Sequence, residues 1–309
     1  MRASTAGGGV CYTVPKQKGV PAARVLLFGG SGQLGGEIRR RWTGLEVLAP
    51  PHAEADIRDA AAVAAVIARY SPDTVVNCAA FHNVERCESE PHDAFAANAL
   101  AVNAMAELCA RAGAKFVTLS TDYVFDGQLR RPYTEADEPR PLNTYGVSKY
   151  AGELLVLRLQ SPAYVVRTCG VYAVRPSASK GHTFIDRILA QARAEEPVRV
   201  VRDQTVSPTY AGHLADGLLR LLRSGAPYGL YHIVNEGAAT WYDYASEALR
   251  VAGLPREIEG ISHAQWTSRV RRPAYSALEN AKLHALNITM PSWRGGIEAY
   301  LHDLRAAPR

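Results

Sequence analysis

The sequence predicts an α/β fold, a doubly wound parallel sheet with a smaller, discontinuous C-terminal lobe. Two observations carry that expectation. From Arg24 onward, short apolar runs alternate with segments of helical period, the pattern of a parallel sheet covered by helices on both faces. The first strand-to-helix switch is a glycine-rich turn, "FGGSGQLGG", and in such sheets ligands bind beyond the carboxyl ends of the strands.

Each element follows from its own residues. "RVLLFGG" is an apolar strand running into glycines, and "GGEIRRRW" opens a helix. "LEVLA" is a second strand. "DAAAVAAVIARY" spaces Ala, Val and Ile on one helical face, and "DTVVNCAA" is a third strand. "AFAANALAVNAMAELCARAG" reads as a long amphipathic helix closed by Gly113, a residue suited to a left-handed C-cap. "KFVTLST" is a fourth strand, "NTYGVSKYAGELLVLRL" a helix and "AYVVRTCGVY" a fifth strand; "VRVV" and "GLYHIV" follow as later strands. The expected division is a dinucleotide-binding domain over residues 24–170, with 199–246 returning to it, and a substrate-binding lobe made of 171–198 and 247–309. Residues 1–23 are rich in Gly and Pro and lack an apolar segment, so a flexible tail outside the fold is expected there.

Composition narrows the function classes. The formal charge of +5 is modest for 309 residues and no basic stripe accompanies it, which argues against a nucleic-acid partner. No apolar run is long enough to cross a membrane. The five cysteines, Cys11, Cys78, Cys87, Cys109 and Cys169, are scattered and never form CxxC, as expected of reduced thiols in a cytoplasmic protein. The histidines show no paired-ligand spacing, so no metal site is expected.

The glycine turn carries the first chemistry. Gly29, Gly32 and Gly35 form GxxGxxG between a strand and a helix. The turn must be tight, the backbone must approach a pyrophosphate, and the helix start must present its amides to that charge. Gln33 and Leu34 fill helical positions between the glycines. This is the arrangement of a Rossmann-type dinucleotide site. An acid at the end of the second strand would hold the adenosine 2′-hydroxyl of NADH, but Pro50, Pro51 and His52 stand there. Asp56 comes later, where adenine would lie. Arg39 and Arg40, on the first helix, are either candidates to reach a 2′-phosphate or simply solvated helix charges. The balance favours NADPH, with NADH also usable.

The second signal is "LSTDYVFDG" at the end of the fourth strand followed by "TYGVSK" on the next helix. Tyr145 and Lys149 share one helical face. Alone, that spacing is common on solvated helices. Behind a glycine turn and a strand-end hydroxyl it resembles the order of short-chain dehydrogenases/reductases. There Lys149 would favour the phenolate and hold the nicotinamide ribose, Tyr145 would exchange a proton with the substrate oxygen, and Thr121 would orient that oxygen.

From Val25 onward the chain is similar to extended short-chain reductases acting on nucleotide sugars, and in particular it resembles the dTDP-4-dehydrorhamnose reductase family. "LLFGGSGQLG", "VVNCAAFHNVERCESEP", "STDYVFDG", "PLNTYGVSKYAGE", "VRDQTVSPTY" and "RRPAYSALEN" carry the likeness. The resemblance implies reduction of the 4-keto group of a dTDP-6-deoxy-4-ketohexose by NAD(P)H. It implies a catalytic trio of Thr121, Tyr145 and Lys149, and a cofactor site of Gly29, Gly32, Gln33, Leu34, Gly35, Asp56, Ile57, Ala79, Ala80 and Lys149. Phe81, His82, Val84, Asp122, Tyr123, Gly170 and Arg272 would face the nucleotide sugar.

The chain also departs from that family. Gly170 stands where relatives commonly carry Trp, and Phe81-His82 replaces Tyr or His followed by Thr. Some relatives bridge a dimer through carboxylate-bound magnesium; here Gly212 and Arg294 occupy the matching positions, so that metal is not expected, while a homodimer remains allowed. Three alternatives stay open: a ketoreductase on another deoxysugar, an epimerase, and a non-catalytic module like the regulatory subunit of methionine adenosyltransferase. A 4,6-dehydratase is disfavoured because Tyr123, not an acid, follows Asp122.

Overall fold

In the computed structural model, residues 23–174, 181–254, 256–265 and 270–306 are described; the expected tail, apart from Ala23, lies outside them. Five apolar strands, β1 (Arg24–Phe28), β2 (Glu46–Leu48), β3 (Thr74–Asn77), β4 (Lys115–Thr121) and β5 (Ala163–Thr168), join the later strand Gly229–His232 in one sheet. Their order is Gly229–His232, β5, β4, β3, β1, β2, and every pairing is parallel. Leu26 and Leu27, Val75 and Val76, and Val165 and Val166 are all buried. Adjacent residues of a strand point to opposite faces, so these strands need cover on both.

The cover comes from α1 (Gln33–Arg41), α2 (Ala60–Tyr70), α3 (Val84–Ser89), α4 (Pro91–Phe95), α5 (Ala101–Ala112) and α6 (Thr144–Leu157). Asp59 caps α2 by accepting from the amides of Ala61 and Ala62, which satisfies two orphan donors of the first turn. Gly113 ends α5 at φ 71°, as its sequence position predicts. The long helix read from Ala94 to Gly113 is continuous but widens into a π turn over Ala96–Leu100 and ends at the Gly113 cap.

Strand order reverses between β1 and β3, the switch point where an α/β sheet opens a ligand crevice. A second core lies over it. Helices Phe184–Arg193, Trp241–Val251 and Trp293–Ala306 pack Ile185, Leu189, Tyr244, Leu249, Ile297 and Tyr300 together. The strands Val198–Val201 and Ile258–Ile261 pair parallel beside them.

This arrangement differs from the expected return of 199–246. Only helix Ala211–Arg223, through Leu214, Leu218 and Leu221, and strand Gly229–His232 rejoin the main sheet. Val198–Val201 and Trp241–Val251 join the second core instead, because their apolar faces match the helices there. In the other direction, Leu283, Ile288 and Met290 from the expected lobe pack under the sheet.

Candidate active site

The glycine turn is built as its spacing predicts. Gly29 adopts φ 76°, and a Cβ there would stand 2.7 Å from the amide nitrogen of Ala79. A Cβ on Gly35 would stand 2.2 Å from the Gly29 carbonyl oxygen. The turn is therefore folded back on α1 and pressed against the end of β3, which no side chain at either position permits. A cavity of about 520 Å³ opens beside it, lined by Gly29, Asp56, Ile57, Ala79 and Ala80. A close backbone, a helix start and a cavity of this size fit a dinucleotide.

A second cavity of about 510 Å³ is lined by His82, Val84, Asp122, Tyr123, Gly170 and Arg272. Two expected residues change sides. Phe81 lines the first cavity: its amide and carbonyl are both clamped by the Asn98 side chain at 2.9 Å, and its ring lies under the Arg86 guanidinium, 4.9 Å away. Gln33, first residue of α1, lines the second cavity. Gly32 is the N-cap of α1, and Leu34 is buried in the sheet core. Arg39 lines the first cavity, whereas Arg40 turns away to Glu37 and Asp303.

Thr121, Tyr145 and Lys149 line neither cavity but stand beside residues that do. Thr121 ends β4, next to Asp122 and Tyr123 of the second cavity. Lys149 is near enough to Cys78 to interact with it electrostatically, and the neighbour of that cysteine, Ala79, lines the first. Asn143 caps α6 by accepting from the Gly146 amide at 2.9 Å, which places Tyr145 in the first turn and Lys149 one turn on. The Tyr145 ring meets Tyr123 edge-on, with centroids 5.9 Å apart.

Burial pushes the Tyr145 hydroxyl above its ordinary range, and the charge of Asp122 adds to this; a hydrogen bond with Thr121 works in the opposite direction. Burial brings Lys149 down to about 8, against the pull of Glu153. Burial also raises Asp122, although Ser276 donates to its Oδ2 at 2.6 Å and Thr121 to its Oδ1 at 3.1 Å. Near neutral pH the site thus holds a protonated phenol next to a lysine that is largely charged.

Several residues of this site escaped the sequence reading. The Asn98 side chain also donates to Ser148 at 3.0 Å, and Ser148 donates to the Tyr145 carbonyl at 2.8 Å. One buried amide thus ties the loop at Phe81 to the Tyr145 helix. An asparagine inside the apolar run "AFAANALAV" was the available signal. The second cavity has an aromatic wall, with Phe184 stacked on Tyr244 and packed on Trp241. It also carries Arg187, Arg199, His182 and His263. Among the described residues no group of three His, Cys, Asp or Glu side chains could hold a metal, and no helix is long and apolar enough to cross a membrane.

Comparison with known proteins finds relatives along nearly the whole chain. The spore coat polysaccharide biosynthesis protein SpsK of Bacillus subtilis is 35% identical over 286 residues, covering 92% of this chain and 99% of SpsK. The dTDP-4-dehydrorhamnose reductase of Streptomyces griseus is 36% identical over 288 residues, covering 90% and 92%. The crystal structure of dTDP-4-dehydrorhamnose reductase from Bacillus anthracis in complex with NADP superposes with a TM-score of 0.86 at 30% identity, over 91% of this chain and 99% of that one. Residues 23–306 match the family described as RmlD substrate binding domain, and with relatives of this identity and coverage the chain belongs to the dTDP-4-dehydrorhamnose reductase family.

Proposed function

We propose that the protein reduces the 4-keto group of a dTDP-linked 6-deoxy-4-ketohexose, dTDP-4-dehydrorhamnose in the first instance, using NADPH and, less well, NADH. The product would be dTDP-L-rhamnose for a cell-surface polysaccharide, made in the cytoplasm. What supports this reading is that Thr121, Tyr145 and Lys149 each adjoin a cavity: Thr121 precedes Asp122 and the Tyr145 ring meets Tyr123, both of the second, and Lys149 interacts with Cys78, the neighbour of Ala79 in the first. One cavity has the tight glycine turn that a pyrophosphate needs. The other has cations for a diphosphate and aromatic faces for a base or sugar.

When bound, the dinucleotide supplies the hydride. The chain's residues do the rest. Gly29 and the start of α1 would hold the pyrophosphate, and Ala79 and Ala80, which line the same cavity, would contact the cofactor. Thr121 donates a hydrogen bond to the keto oxygen and orients it. Tyr145, kept protonated by burial, delivers its proton to that oxygen as charge develops there. Lys149 stabilises the phenolate left behind.

The second reading is a ketoreductase for a different deoxysugar. Gly170 favours it, because the rim of the second cavity has no side chain at that position. Purified protein, NADPH and a panel of dTDP-4-keto-6-deoxyhexoses, with the sugar product identified, test both readings. NADPH oxidation with dTDP-4-dehydrorhamnose and formation of dTDP-L-rhamnose is expected. Turnover only with another sugar would select the second reading. No turnover with any, alongside a stable protein complex, would favour a non-catalytic module.

A further inference from the structure

Ser276 touches Asp122, and Asp122 touches Thr121. The Ser276 Oγ donates to the Asp122 Oδ2 at 2.6 Å. Backbone bonds fix the serine on both sides. Its amide donates to the Thr205 carbonyl at 2.8 Å, and the carbonyl of Ala277 accepts from the Tyr133 amide at 2.9 Å. The other Asp122 oxygen, Oδ1, stands 3.1 Å from the Thr121 Oγ1. Ser276, Asp122 and Thr121 are all buried.

The hydroxyl of Thr121 has one hydrogen and two lone pairs. The Tyr123 amide takes one lone pair, at 3.2 Å. The remaining hydrogen and lone pair serve two neighbours: Asp122 on one side, and Tyr145 with the reacting oxygen on the other. An ionised Asp122 only accepts, so it would claim the hydrogen. Thr121 would then turn a lone pair to the keto oxygen and repel it. A protonated Asp122 reverses this. Its hydroxyl on Oδ1 donates to Thr121, and the hydrogen of Thr121 is released toward the substrate.

The surroundings hold that proton in place. Among the described residues, the groups that bond Asp122 are the hydroxyls of Ser276 and Thr121, the Cys169 thiol and a backbone amide, none of them a cation. Burial keeps the Cys169 thiol and the phenols of Tyr123 and Tyr145 protonated as well. Arg272, which acts on Tyr123, is engaged by Glu85 at 2.5 Å. A buried carboxyl group without a counter-ion keeps its proton above the ordinary range. Ser276 selects the oxygen that carries it. The better acceptor of a carboxylic acid is its carbonyl oxygen, so donation to Oδ2 leaves the hydrogen on Oδ1, facing Thr121.

We propose that Ser276 is a positioning residue for the reduction: it orients Asp122 as a hydrogen-bond donor to Thr121, and so leaves the one hydrogen of Thr121 for the keto oxygen. The proposal rests on the reading of Thr121 as the group that orients that oxygen. Without Ser276, the acid proton is free to sit on Oδ2, and Oδ1 then draws the Thr121 hydrogen away from the substrate. The loss falls on the transition state, where charge grows on the keto oxygen, more than on substrate binding.

Steady-state kinetics of the full chain with NADPH and dTDP-4-dehydrorhamnose test this. Ser276→Ala should lower kcat roughly three- to tenfold, the worth of one hydrogen bond, and leave KM within about twofold. A purely structural serine would lower the melting temperature and leave kcat in place. Asp122→Asn keeps an amide that can donate to Thr121 and a carbonyl that can accept from Ser276. Its kcat should therefore exceed that of Asp122→Ala by about tenfold or more. A Ser276→Ala loss in kcat below about threefold, or an Asp122→Asn variant no faster than Asp122→Ala, would overturn the positioning role. Thr121→Val separates this from the reading beneath it. A slow Thr121→Val beside an unimpaired Ser276→Ala would overturn the positioning role alone. A Thr121→Val variant with full kcat, or an unaltered protein without turnover, would overturn the role given to Thr121, and the proposal with it.

Discussion

Glu153 grips Arg167 with its two carboxylate oxygens, the shortest contact being 2.6 Å, and both side chains are 2% exposed. Glu153 lies one helical turn beyond Lys149 on α6, and Arg167 is on β5, stacked over Phe125 at 5.0 Å. The pair anchors the catalytic helix to the sheet. Its negative member also works against the burial that discharges Lys149.

Glu153→Gln should therefore do two things. It leaves Arg167 buried without its counter-ion, which typically costs about 3–5 kcal/mol. It also removes the charge that supports Lys149, so the alkaline limb of the activity profile should move to lower pH. Chemical denaturation and a pH series read the two effects. A loss below about 1 kcal/mol with an unmoved pH limb would mean the pair supports neither helix nor lysine.

Tyr145→Phe should abolish reduction and leave cofactor binding nearly intact. The hydroxyl is the proton donor, and general acids of this kind contribute roughly 10²- to 10⁴-fold. The ring keeps its edge contact with Tyr123, so the fold should hold. Steady-state rates beside NADPH titrations check this; more than a tenth of the original activity would remove Tyr145 from the role.

Lys149→Met should inactivate the enzyme and stabilise the fold. The lysine's pKa falls on folding from its ordinary 10.5 to about 8. For a cation depressed in this way, folding pays nothing above about pH 10.5, where both states are neutral. The penalty grows as pH falls from there and is complete below about 8. At pH 7 the methionine variant should be more stable by on the order of 3 kcal/mol. The gain should vanish above about pH 10.5. Denaturant midpoints at pH 7 and at high pH measure this, and a variant less stable at pH 7 would contradict the sign.

The parts of this site that were legible in the sequence are those fixed by short-range geometry. Gly29 and Gly35 could be read because a backbone contact forbids any side chain. Tyr145 and Lys149 could be read because helix period alone brings them onto one face. Ser276, 154 residues away from the Asp122 it bonds, left no local pattern. The side on which Phe81 falls is decided by Asn98, 17 residues on, and not by its own neighbours. Strand Val198–Val201 shows strand character but not its partner: alternation specifies a buried face, and either sheet could have supplied one.

Gly170 stands at φ 55° on the rim of the second cavity. This left-handed conformation costs a residue with a Cβ roughly 1–2 kcal/mol, least for Asn or Asp. Space is not the obstacle, because a Cβ would sit 3.4 Å from the Pro208 Cα and 3.5 Å from the Ser207 carbonyl oxygen. Gly170→Ala should thus lose about 1 kcal/mol of stability, and Gly170→Asn less. Gly170→Trp meets the same backbone cost and adds an aromatic face to the rim, worth about 0.5–1.5 kcal/mol against a sugar or base. Its expected signature is a lower melting temperature together with a lower KM, with kcat held because Thr121, Tyr145 and Lys149 are untouched. If the tryptophan variant folds but its KM rises, the open rim is occupied by the substrate itself, and this pocket accepts a bulkier sugar than dTDP-4-dehydrorhamnose.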